Sequence, residues 1–165
     1  MRRHTHSLHV VCVTTCLLIG VVATYTPVVA GPGWQSPLSN DGTVRVEVAF
    51  DHPEGLRAKR RHTGVDLAAP YGAPVSAVAA GRIVSVSRGG SNRGTGSAIV
   101  ITHRLPTGER VYVQYAHLMT VERGTGRVAA GEVVGRVGRS GRTRTCHLHF
   151  AVRHGRPPAA GWVRR

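Results

Sequence analysis

The sequence predicts an all-β domain, a compact antiparallel sheet or sandwich. Three observations carry that expectation. Apolar residues recur with a period of two, no stretch of ten or more residues shows a capped helical stripe, and Gly, Pro, Ser or Asn fence each apolar run.

Taken in order, the chain opens with Arg2 and Arg3 in a basic, His-dotted start, followed by fourteen largely apolar residues at 10–23. Pro27 then breaks the run, and Val28 and Ala30 stand at the −3 and −1 positions of a cleavage site. This is the pattern of a secretory signal peptide over 1–30. A membrane span needs about 20 apolar residues, so no stable span is expected once the signal is cleaved. Residues 31–42, rich in Pro, Gly and Ser, read as an irregular lead-in. The domain is expected over 43–155, with strands in TVRVEVAF (43–50), GRIVSVSR (81–88), SAIVITH (97–103), RVYVQYAHL (110–118), GEVVGRVG (131–138) and HLHFAV (147–152). Six to eight strands, mostly in antiparallel pairs, fit this spacing. The glycine clusters at 89–96 and 138–141 read as turns and surface loops, and 156–165 as a C-terminal tail.

Charge and cysteine content narrow the class. Two of the 22 basic residues fall in 1–30, leaving 20 against 8 acidic ones, and Lys59 is the only lysine. A nucleic-acid partner is not expected: the arginines are spread along the chain, no recognition motif is present, and aromatic residues are scarce. For an exported chain, attraction to an anionic cell-wall polymer fits this charge better, and a high-Arg coding bias explains it equally well. Cys12 and Cys16 leave with the signal, so Cys146 stands alone and no internal disulfide forms. Packing, or a metal, must hold the fold.

Three short motifs concentrate the chemistry. On a strand, side chains at i and i+2 share a face about 7 Å apart, so His147 and His149 point one way while Leu148, Phe150 and Val152 point into an apolar layer. The same rule puts Tyr115 and His117 on one face. His62 and Asp66 lie four apart in RRHTGVDLAAP, where Gly64 and Pro70 argue against a helix and for a loop or strand entry. Two imidazoles and one carboxylate, with further imidazoles nearby, match a catalytic zinc site with three protein ligands and a position left for water. There is no H-E-x-x-H to supply a glutamate base. His52, His103 and His154 lack motif context and read as surface or capping residues. Trp34 and Trp162 read as packing at the core edge.

HTGVDLAAPYGAPVSAVAAGRIVSV, YAHL and GRVGRSGRTRTCHLHFAV, in that order, strongly resemble the LytM/lysostaphin-type zinc metallopeptidases, which cleave peptide bonds in bacterial peptidoglycan. The resemblance covers residues 60–153. By position it implies one zinc per chain held by His62, Asp66 and His149. It implies His147 as general base and His117 as the histidine that orients water or stabilises the tetrahedral intermediate. It also implies a groove across one sheet, peptidoglycan peptides as substrate and an extracytoplasmic location. Where the family often has a small residue or proline, this chain has Cys146, which alternation places beside Leu148 and away from the metal. The alternative in the same fold is a non-catalytic domain that binds wall or activates another hydrolase. Such domains typically lose ligands, whereas all five positions are filled here.

Overall fold

A computed structural model of the chain describes residues 33–38, 44–54, 60–89 and 94–155. The signal-peptide reading, the tail at 156–165 with Trp162, and part of the 31–42 lead-in lie outside these residues.

Eleven strands are found among the described residues: β1 (Val46–Val48), β2 (Pro53–Glu54), β3 (Arg60–Arg61), β4 (Val65–Ala68), β5 (Pro74–Ser76), β6 (Gly81–Ser87), β7 (Ser97–Arg104), β8 (Arg110–Val121), β9 (Gly126–Val128), β10 (Val133–Val137) and β11 (His147–His154). All six expected strands are present. The additional ones are two to four residues long, too short to show an alternation. The main sheet runs β1-β4-β11-β8-β7-β6-β9, while β10 pairs with β5 and with the far end of β8, and β2-β3 form a separate pair. Every strand pair is antiparallel. The all-β antiparallel class is therefore the observed one.

Strand β8 organises the sheet. Its twelve residues pair with β7 along one edge, with β11 along the other, and with β10 at the C-terminal end. Its Val111, Val113, Tyr115 and Leu118 are buried with Ile99 and Ile101 of β7, Leu148 of β11 and Val134 and Val137 of β10. β-branched residues suit this position because they pack well on a pleated surface, and β8 is buried on both faces over residues 111–118. Tyr115 reaches across the core, and its hydroxyl accepts a hydrogen bond from the Val78 amide at 3.0 Å. Burial pushes the phenol above its ordinary range, against the pull of that amide, so it stays neutral.

The sequence reading needs adjustment at four residues of the sheet and its borders. Val46 and Val152 are exposed because β1 is the sheet edge and the end of β11 runs beyond the core. Cys146 precedes β11 and is only half-buried. His103 is not a surface residue: it is buried, its Nδ1 lies 3.1 Å from the Ala80 carbonyl, and the Trp34 ring packs against it at 5.3 Å. Its Nε2 is buried without a hydrogen-bond partner among the described residues.

Two outcomes follow from this packing. Tyr115→Phe leaves the buried Val78 amide unsatisfied and is expected to cost about 1–3 kcal/mol in denaturant unfolding, whereas Leu148→Ala, which opens a cavity, is expected to cost about 2–5 kcal/mol. Burial holds His103 below its ordinary value of 6.5, with the Ala80 carbonyl opposing. The unfolded chain thus takes up this proton more readily, so the contribution is full above 6.5 and is lost as pH falls below it. Melting temperatures at pH 7.5 and pH 5 should fall in that direction, and His103→Gln should flatten part of the slope.

Candidate metal centre

Backbone register alone brings two of the site residues together. In the β4–β11 ladder Asp66 stands directly opposite His149, with Ala68 opposite His147. Opposed residues share a face, so one carboxylate and both histidines of HLH project to the same side. Leu148 between them goes into the core, as alternation requires.

His62 reaches this face from the segment after β3. Its amide donates to the His52 carbonyl at 2.9 Å, its carbonyl accepts from the Asp51 amide at 2.9 Å, and its Nδ1 lies 2.9 Å from the Ala49 carbonyl. A carbonyl only accepts, so Nδ1 carries the proton and Nε2 turns a lone pair inward. Gly64 lets the chain pass close to β11: an added Cβ would lie 2.4 Å from the Phe150 carbonyl and 3.0 Å from His149 Nε2.

Three acceptor atoms then converge. His62 Nε2 lies 3.0 Å from His149 Nδ1 and 3.1 Å from Asp66 Oδ1, and His149 Nδ1 lies 2.9 Å from the same oxygen. All three residues are buried, and among the described residues these are the ones grouped closely enough to hold a metal. Burial raises the Asp66 carboxyl, but the His149 and His62 rings against it and His147 nearby outweigh burial, leaving the group well below the ordinary carboxylate range. Two imidazole nitrogens and an ionised carboxylate oxygen this close together form a donor set that could hold one metal ion. Tetrahedral zinc with N and O ligands at about 2.0–2.1 Å sets its ligand atoms about 3.3 Å apart, so the donor set fits that ion. Cys146 is not in the group.

The two remaining histidines border the triangle. His147 Nε2 lies 3.5 Å from Asp66 Oδ2, and its Nδ1 is 3.2 Å from the Thr145 hydroxyl. The His117 ring stands 4.9 Å from the His147 ring and 5.8 Å from the His149 ring, centre to centre. Strict alternation would place His117 beside Tyr115 in the core, and here the sequence reading is corrected. Ile99 pairs with Tyr115 and Ser97 with Leu118, so two residues of β8 oppose one of β7. This bulge sends both Tyr115 and Leu118 inward and turns His117, with a φ of 61°, out to the site. Burial lowers His117 to about 4, with His147 and His149 adding to the effect and the Ser140 carbonyl and Asp66 opposing it, so the ring is neutral at neutral pH.

Residues 60–160 match the family model of peptidase family M23. The chain belongs to that family. It is 43% identical over 103 residues to Mpg, a DD-carboxypeptidase/endopeptidase of Neisseria meningitidis, covering 62% of this chain but 22% of the relative's length. Outer membrane antigenic lipoprotein B of Haemophilus influenzae is 30% identical over 131 residues, 78% of this chain and 28% of that one. This M23 chain thus spans less than a third of the length of these relatives, 22% and 28%. Among solved structures, the catalytic domain of the antimicrobial peptidase lysostaphin from Staphylococcus simulans aligns with a TM-score of 0.58 and 29% identity over 70% of this chain and 84% of that one. The LytM/lysostaphin resemblance is thereby established for the M23 domain.

All five expected site residues lie on one face. Sequence reading did not find the groups behind them: the Ala49 carbonyl, the Ser140 carbonyl and the Thr145 hydroxyl. Two of these are backbone atoms, which carry no residue-type signal.

If the triangle is the metal site, His149→Ala should abolish tight zinc binding, and His147→Ala should retain about one zinc per chain by elemental analysis. Gly64→Ala should weaken zinc binding about tenfold or more in chelator competition, because β11 must shift to admit the methyl.

Proposed function

We propose that this M23 chain is a zinc metalloendopeptidase that hydrolyses peptide bonds in bacterial peptidoglycan, with His62, Asp66 and His149 as the metal ligands. The observation that carries the reading is the triangle of His62 Nε2, Asp66 Oδ1 and His149 Nδ1, bordered by two histidines that do not take part in it. A zinc ion held there would polarise the scissile carbonyl and lower the pKa of water.

The chain's own residues supply the rest. The Ala49 carbonyl fixes the tautomer of His62, and the Asp66–His149 pairing fixes the other two ligands in one register. His147 is the general base: its Nε2 faces the site, and on protonation its Nδ1–H donates to the Thr145 hydroxyl, 3.2 Å away. His117 orients the attacking water from the other side. All five residues are buried, which limits competition from solvent for these contacts.

The domain is read as 43–155, behind a secretory signal over 1–30, with the mature protein acting in the cell envelope. The likeness to an outer membrane lipoprotein supports that location. Among the described residues no helix is long and apolar enough to cross a membrane.

Substrate charge is the other element. Arg45, Arg61, Arg123 and Arg136 pair with acidic side chains. Arg139, Arg142 and Arg144 are exposed and make no ion pair among the described residues, although they sit on the loop that touches both His117 and His147. Peptides bearing free carboxylates suit that rim, and anionic wall polymers would be drawn by the same charge.

Digestion of purified peptidoglycan, followed by mass analysis, tests the reading. New free amino termini should appear, vanish with chelator and return with zinc. Absence of release from wall that the protein binds would favour the non-catalytic alternative. Replacing Arg139, Arg142 and Arg144 together by Gln should raise KM about three- to tenfold at low salt, less at high salt, and leave kcat near its original value.

A further inference from the structure

We propose that Ser140 is a positioning residue for His117, fixing both the direction of the ring and the nitrogen that carries its proton. The kinetic arm of this proposal rests on the peptidase reading above; its structural arm does not.

The direction is set at the bulge. A non-glycine residue at φ 61° is uncommon and persists only when its surroundings hold it. At His117 the hold comes from two neighbouring segments. The His117 amide donates to the Thr95 carbonyl at 3.0 Å. The Ser140 hydroxyl donates to the carbonyl of Leu118 at 2.7 Å, and the same oxygen accepts from the Ser97 amide at 2.9 Å. One hydroxyl thus ties the exit of the bulge in β8 to the start of β7, the two strands whose register shifts there.

Close backbone packing makes this possible. A Cβ on Gly96 would lie 2.4 Å from the Ser140 carbonyl carbon, and one on Gly141 would lie 2.3 Å from the Gly96 nitrogen. Both glycines have positive φ, 63° and 79°. The Arg142 amide donates to the Gly94 carbonyl at 2.8 Å and closes the clamp. Gly96 and Gly141, which read in sequence as loop punctuation, let segments 94–97 and 138–142 approach closely enough for one serine to bridge them.

The proton position follows from the other end of Ser140. His117 Nδ1 lies 2.8 Å from the Ser140 carbonyl. A carbonyl has no hydrogen to give, so the neutral ring carries its proton on Nδ1 and offers Nε2 as a lone pair. His117 therefore enters the site as a hydrogen-bond acceptor that can hold a water by its O–H, and it becomes a donor only after taking a proton. His147 differs, because its Nδ1 partner is a hydroxyl that can either give or accept. The two bordering histidines are not equivalent: one is held to a single tautomer, and the other is free to exchange.

Ring nitrogen NMR on the unmodified, zinc-loaded protein reads the tautomer directly. His117 should show a protonated Nδ1 and an unprotonated Nε2 at pH 7; a protonated Nε2 would overturn the proposal. This arm needs neither catalysis nor a variant that folds. In kinetics on peptidoglycan peptides, Ser140→Ala should lower kcat about ten- to a hundredfold, with KM and zinc content within about twofold of the starting protein. In a His117→Ala background the same substitution should cause little further loss, because its effect passes through that ring. An equal loss in both backgrounds, or no loss in either, would contradict a positioning role. If the unmodified protein shows no hydrolysis, the peptidase reading fails while the ring measurement still decides the proton's place.

Discussion

The site depends on one register. Asp66 of β4 stands opposite His149 of β11, and that pairing puts an ionised oxygen 2.9 Å from an imidazole nitrogen inside the protein. A slip of a single residue would turn the entire HLH set into the core and bring Leu148 to the surface. Register is protected by the same residues that it arranges, since Leu148 is fully buried among Tyr115, Leu118 and the valines of β10. Packing energy on one face of β11 therefore guarantees chemistry on the other.

Around that pair the remaining groups are held by backbone atoms more than by side chains. The Ala49 carbonyl sets His62, the Ser140 carbonyl sets His117, and the close approach at Gly64 allows the His62 segment to lie against β11. Such contacts are cheap in sequence terms, because any residue provides a carbonyl, yet they demand a well-determined chain path. They also gather four imidazoles and one carboxylate around one point, a donor set suited to a bound metal.

This distribution explains what was legible in the amino-acid sequence. The long strands β6, β7, β8 and β11 could be read because their alternation is sustained over seven or more residues. The same-face pairing of His147 and His149 followed from alternation, and their company with His62 and Asp66 came from the order of three motifs. Short strands such as β2 and β5 were not legible, since a two- or three-residue segment has no period. The face of His117 was read wrongly by alternation, because a bulge inserts one residue and inverts the parity beyond it. His103 was misread for a related reason: it lies at the end of β7, where Trp34, from a segment with no regular pattern, covers it.

The central claim is that His62, Asp66 and His149, the last two aligned by strand pairing, hold one metal through two nitrogens and one oxygen. Zinc K-edge X-ray absorption on the protein loaded with one equivalent of zinc tests it most directly. Scattering from N and O ligands at about 2.0–2.1 Å, with the multiple-scattering pattern of two imidazoles, is the expected result. A sulfur contribution at about 2.3 Å would mean that Cys146 enters the site, and would contradict the ligand set and the register on which it rests.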